Sequence, residues 1–162
     1  MRIASLLVAI VISTLGATSA MGTDYTPRSV ADRLLAEINV VRERNGLGLL
    51  RADRKLAMAA MDHAVDMAER DIFDHRAPDG AGLVSRIARV GYNYSHVAEN
   101  IAAGHERPAS VVETWLLSDG HRRNLLNPED VDAGIGYVDA PDDGGRVSYR
   151  HYWVAIFGRR SR

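Results

Sequence analysis

Val97-Ala98-Glu99-Asn100-Ile101-Ala102 is the stretch that decides the fold. Before it, apolar residues recur at helical spacing. Here the period drops to two, with Val97, Glu99 and Ile101 on one face of a strand and Ala98, Asn100 and Ala102 on the other. A strand therefore follows a run of helices, and Glu99 is its anomaly. A carboxylate on an apolar strand face needs a partner, such as an arginine or a neighbouring backbone group, or serves a chemical purpose. The pattern leaves both readings open.

Towards the N-terminus, Leu83, Ile87 and Val90 fall at i, i+4 and i+7 and predict a helix that ends at Gly91. Residues 72–80 form a loop that holds Phe73, His75 and a Pro78-Asp79-Gly80 turn. Asp53 caps a helix with Leu56, Ala57, Ala60, Ala64 and Met67 on one stripe, ending near Arg70. Its His63 sits between alanines and reads as packing. Leu34, Ile38 and Val41 mark a first helix, capped by Ser29 or Asp32 and stopped at Asn45-Gly46; Leu47, Leu49 and Leu50 then make an apolar tether.

Towards the C-terminus, Pro108 suits the first turn of a helix that carries Val111, Val112, Trp115 and Leu116 and ends at Asp119-Gly120. At helical spacing Ser118 shares the stripe of Val111 and Trp115, whereas Glu113 turns to solvent. Residues 121–126 read as one short helical turn closed by Asn127-Pro128. Residues 133–138 and 148–157 read as strands, joined into a hairpin through residues 141–145. Helices cannot act as crossovers for all these strands. The expectation is an α+β domain with a mainly antiparallel sheet flanked by helices.

The chain of 162 residues holds one domain, expected over residues 29–160. Met1-Arg2, an apolar run over residues 3–17 and Thr18-Ser19-Ala20 fit a secretory signal peptide cleaved after Ala20. The run is shorter than the roughly 20 residues a spanning helix needs, so no transmembrane anchor is expected after cleavage. Residues 21–28 are polar and read as a linker. With 20 basic and 21 acidic side chains the formal charge is −1, so no charge excess argues for a nucleic-acid partner. Cysteine is absent, which excludes disulfides, thiolate metal sites and a cysteine nucleophile.

The common catalytic motifs are also missing. There is no phosphate-binding Gly-x-x-x-x-Gly-Lys loop and no His-Glu-x-x-His; Gly134-Ile135-Gly136 lacks a third glycine, and Leu116-Leu117-Ser118-Asp119-Gly120 lacks the first glycine of a nucleophile elbow. What remains is His75 and His121, both on loops beside regular elements, where imidazoles can hold a metal or move a proton. They gain meaning with Glu99 only if the fold brings them together. His96, His105 and His151 receive no role.

The segments Asn45-Gly46-Leu47, Phe73-Asp74-His75, Pro78-Asp79-Gly80, Ala98-Glu99-Asn100-Ile101, Trp115-Leu116-Leu117-Ser118, Gly120-His121-Arg122, Asn124-Leu125-Leu126-Asn127-Pro128, Gly134-Ile135-Gly136-Tyr137 and Tyr152-Trp153-Val154 occur in an order that resembles the CAP superfamily. That superfamily, also called the SCP domain, covers cysteine-rich secretory, antigen 5 and pathogenesis-related group 1 proteins. The similarity is greatest to its short, cysteine-free, secreted bacterial branch, and spans residues 31–158. It implies an α-β-α sandwich with a cleft lined by two histidines and two glutamates. By motif the histidines fall on His75 and His121 and one glutamate on Glu99; the position of the second is Ser118 here. The resemblance thus implies a ligand cleft of His75, Glu99, Ser118 and His121, with zinc or another divalent cation weakly held by His75 and His121. It further implies a secreted or periplasmic, non-enzymatic binding module for a lipid, sterol-like, cell-envelope or protein ligand. The alternative it allows is a metal-assisted hydrolase with Glu99 as general base.

Overall fold

Ser29 opens the part of the chain that this computed structural model describes, residues 29–162; the leader and linker expected over residues 1–28 lie outside it. The Ser29 hydroxyl accepts from the Asp32 amide, while the Asp32 carboxylate accepts from the Ser29 amide. Helix α1 (Val30–Arg44) runs from this cap and buries Leu34 and Ile38. The tether leads into β1 (Arg51–Ala52), and Asp53 then caps α2 (Arg54–Glu69) by accepting from the amides of Lys55 and Leu56. There follow α3 (Leu83–Val90), β2 (Tyr94–Ala103), α4 (Pro108–Leu117), α5 (Asp119–Leu125), β3 (Asp132–Asp139) and β4 (His151–Arg160).

The sheet order is β1-β3-β4-β2. Both pairings of β4 are antiparallel, as expected, and β3–β4 is the anticipated hairpin. The tether adds what periodicity over two residues cannot show: β1 pairs parallel with β3 through Arg51–Asp132 and Ala52–Ala133. Strand β4 starts at His151, three residues later than its pattern suggests.

Two apolar layers sandwich the sheet, and β4 displays the logic. Trp153, Ala155 and Phe157 pack against α1, α4 and α5; Tyr152, Val154 and Ile156 pack against α2 and α3. Alternate residues thus enter opposite cores, which makes the strand apolar throughout. Helix α2 lies directly on β3 at Gly134 and Gly136. A Cβ at Gly134 would strike the backbone of Leu56 and Ala57, and one at Gly136 the backbone of Ala60. The glycine pair noted in the sequence is therefore a seat for a helix.

Arg42, fully buried, ties the far end of α1 down. Its guanidinium donates to the carbonyls of Gly48, Leu125, Asn127 and Asp130. No helix among the described residues is long and apolar enough to cross a membrane.

Candidate functional site

Among the described residues β2 is an edge strand, so groups from both helical layers can reach its outer side. Glu99 pairs with Ile156 in the register and shares its face, the one covered by α2 and α3. Its neighbour Asn100 faces the other layer. The Asn100 amide donates to the carbonyl of His121 (3.0 Å), and Asn124 donates to Asn100 Oδ1 (2.9 Å) and to the Glu99 carbonyl (3.3 Å). These bonds hold α5, and with it His121, against the edge strand.

Glu99 itself is buried, with only 3% of its side chain exposed. Its Oε2 accepts from Arg86 Nη2 at 2.7 Å and its Oε1 from His75 Nδ1 at 2.9 Å. The Nε2 of His63 lies 3.8 Å from the same Oε1. Arg86 comes from α3 and is fully buried; besides Glu99 it donates to the carbonyls of Ala81 and His75. One guanidinium thus fixes both the carboxylate that receives the His75 ring and the backbone that carries it. The loop is shaped locally as well: the Arg76 amide donates to Asp74 Oδ1, the Ala81 amide to Asp79 Oδ1, and Gly80 takes φ 84.

Burial by itself would raise the Glu99 carboxyl, but the His75 hydrogen bond and the charges of Arg86 and His63 outweigh it and hold the group below its ordinary value. The hydrogen bond to Glu99 raises His75. Burial lowers His63, and burial together with the charge of His75 lowers His121. What Glu99 contributes to stability is present above its unfolded value and is lost as pH falls through its lowered folded one. What His75 contributes is complete below about 6.5 and is lost as pH rises through its raised folded value. His75 is therefore expected to titrate above 6.5 and His121 below it, and Glu99→Gln should bring His75 back down. Imidazole chemical shifts followed over pH check this; a His75 curve unchanged by the substitution would refute the coupling.

Of the four cleft positions implied by the resemblance, His75 and Glu99 are bonded to each other, and His121 is near enough for the charge of His75 to act on it. Ser118 lies at the junction of α4 and α5. Helix α4 stops at Leu117, and the extended backbone of Ser118 (φ −99, ψ 123) breaks the helical spacing that put it on the Trp115 stripe. Glu113 is exposed, in line with its rotation away from that stripe. Two buried members of the site are additional to the sequence reading: Arg86, and His63, which that reading took as packing alone. Both of the His63 ring nitrogens are buried without a hydrogen-bond partner among the described residues.

His75 spends Nδ1 on Glu99, which leaves Nε2 as its outward nitrogen; a carboxylate behind the ring is the usual support of a ligating imidazole. Yet no group of three or more His, Asp or Glu side chains among the described residues is gathered closely enough to hold a metal ion. The resemblance would leave a divalent cation only the imidazoles of His75 and His121, with solvent or ligand completing the shell. Beside His75 lies an open cavity of about 550 Å³, lined also by Arg76, Gly82, Leu83, Val84 and Ser85.

Residues 35–157 match the family described as CAP, the cysteine-rich secretory protein family. The Bacillus subtilis protein YkwD is 35% identical over 121 residues, which cover 73% of this chain and 47% of that protein. An extracellular protein containing an SCP domain from Bacillus anthracis superposes with a TM-score of 0.70 at 30% identity, over 81% of this chain and 40% of that one. An outer surface protein from Borrelia burgdorferi gives 0.71 at 26% identity, over 79% and 90%. The chain thus spans about half or less of the length of both Bacillus proteins.

Proposed function

Since the chain belongs to the CAP, cysteine-rich secretory protein family, we propose that it is a secreted, non-enzymatic binding module whose ligand site is the cleft along the free edge of β2. One observation carries this reading. Glu99 is locked as an anion between Arg86 (2.7 Å) and His75 (2.9 Å) deep in the fold. A general base works best with a proton affinity near the operating pH. Glu99 is pushed the other way. Its geometry suits holding the His75 ring in place, and this favours a presented imidazole pair over the metal-assisted hydrolase. The extracellular and outer-surface descriptions of two structural relatives support placing the module outside the cytoplasm.

His75 and His121 would hold zinc or a similar cation, which would act as a Lewis acid or as a bridge to a ligand. Two imidazoles and no carboxylate make that hold weak, and Ser118 in place of a second glutamate adds no charge to strengthen it. Each imidazole must be neutral to ligate, and His75 already carries a raised proton affinity. Calorimetric zinc titration is therefore expected to give weak, saturable, one-site binding. It should decline from about pH 7.5 to 5.5, across the ordinary histidine range, and vanish in His75→Ala/His121→Ala. Zinc binding that survives the double variant, or ignores pH, would overturn the cleft. A zinc-dependent hydrolysis that Glu99→Gln abolishes while zinc stays bound would overturn the non-enzymatic reading instead.

A further inference from the structure

A second imidazole–carboxylate pair stands where β2 begins, apart from the Glu99 cluster. His96 donates its Nδ1–H to Asp130 Oδ1 at 2.8 Å, and the Asp130 side chain is fully buried. The other oxygen, Asp130 Oδ2, is buried without any hydrogen-bond partner among the described residues. The His96 side chain is 40% exposed, and with Nδ1 spent, Nε2 is its free nitrogen.

His96 lines an open cavity of about 500 Å³ together with Arg122, Arg123, Asn124 and Asn127. No carboxylate and no hydroxyl or thiol nucleophile is part of that lining. The nearby acids are already engaged: Asp119 with Arg122, and Glu129 with Arg159 at 3.3 Å. Arg123 is exposed and has no carboxylate partner among the described residues. The cavity therefore offers charged donors and an imidazole whose orientation is set from below. Without a hydroxyl or thiol in the lining, it is suited to binding rather than acyl or thioester chemistry.

We propose that this cavity between the start of β2 and the end of α5 is an anion site for a phosphoryl group, with Arg123 and His96 as its contacts and Asp130 as the residue that positions His96. A guanidinium fork matches the several oxygens of a phosphoryl group, and the free edge of the His96 ring lines the same cavity. The site is independent of the metal reading, because neither His75 nor His121 takes part.

Inorganic phosphate titrated at low ionic strength against ¹⁵N-labelled protein tests it, beside His96→Gln, Arg123→Ala and, as a control, the exposed Arg54→Ala. Saturable shifts at His96 and Arg123 are expected, with affinity at least tenfold weaker in either site variant and unchanged in the control. A second arm separates the sources of the group by comparing vesicles that contain phosphatidylglycerol with phosphatidylcholine alone. Sedimentation with the anionic vesicles that both site variants lose identifies a lipid headgroup; phosphate binding without vesicle binding identifies a soluble phosphoryl ligand. Arg123 is exposed and unpaired, so Arg123→Ala stays folded and keeps the test decisive if His96→Gln does not. Shifts that fail to saturate, or phosphate binding retained in Arg123→Ala, would overturn the proposal.

Discussion

Gly134→Ala is expected to cost the domain most of its stability. An added methyl group normally costs a packed core about 1–3 kcal/mol, because side chains shift to make room. Here the obstacle is the main chain of α2 at Leu56 and Ala57, which cannot rotate aside. The helix must lift off β3 as a unit, which opens the layer containing Leu56, Ala60, Ala64 and Met67. The loss should exceed about 4 kcal/mol, the range reserved for gross core damage. Thermal unfolding by circular dichroism should show a Tm lower by roughly 10 °C or more. Gly48→Ala is the matched control, since nothing lies within 4 Å of a Cβ there. Equal melting of the two variants would contradict the close seating of α2 on β3. Gly136→Ala, facing the backbone of Ala60, should behave like Gly134→Ala.

Arg86→Met should be nearly as damaging, for an electrostatic reason. It leaves Glu99 buried without its closest cation, and breaking a buried pair from one side typically costs about 3–5 kcal/mol. It also frees the His75 and Ala81 carbonyls that Arg86 holds. Removing both charges is a different experiment, because an apolar pair of similar volume is often neutral or stabilising. Arg86→Met/Glu99→Leu should therefore regain much of the lost Tm while His75 loses the bond that raises it. Stability and ligand capture would then separate: the double variant should melt close to the parent yet bind zinc differently. A single variant that costs under about 1 kcal/mol would show the pair to be no better than a solvated surface bridge.

The layered architecture was legible because its strands and helices each carry a clean period. The alternation over β2 placed Glu99 on the face of Val97 and Ile101, and that is the face covered by α2 and α3. The partners of Glu99 were harder to see. Arg86 lies three residues after Leu83 and four before Val90, squarely on the apolar stripe of α3, and an arginine there signals a buried pair. Spacing within one helix cannot name the carboxylate it meets across the fold. His63 sits four residues before Met67 on the α2 stripe, so reading it as packed was sound; that its ring would lie 3.8 Å from Glu99 depended on how α2 docks on the sheet. Ser118 marks the limit of such spacing. Helical angles hold only while the helix lasts, and α4 gives way to α5 at that residue. The β1–β3 pairing lies below what two residues of pattern can express.

The position of β4 has a consequence for the order of events on the ribosome. Residues 151–160 are the last regular element of this chain, yet they occupy the middle of the sheet, between β3 and β2. Until they emerge, β2 has no strand to pair with and both apolar layers lack their shared wall. Contacts of such long sequence separation form late and slowly. The domain is thus held back from its native state until this strand has been made.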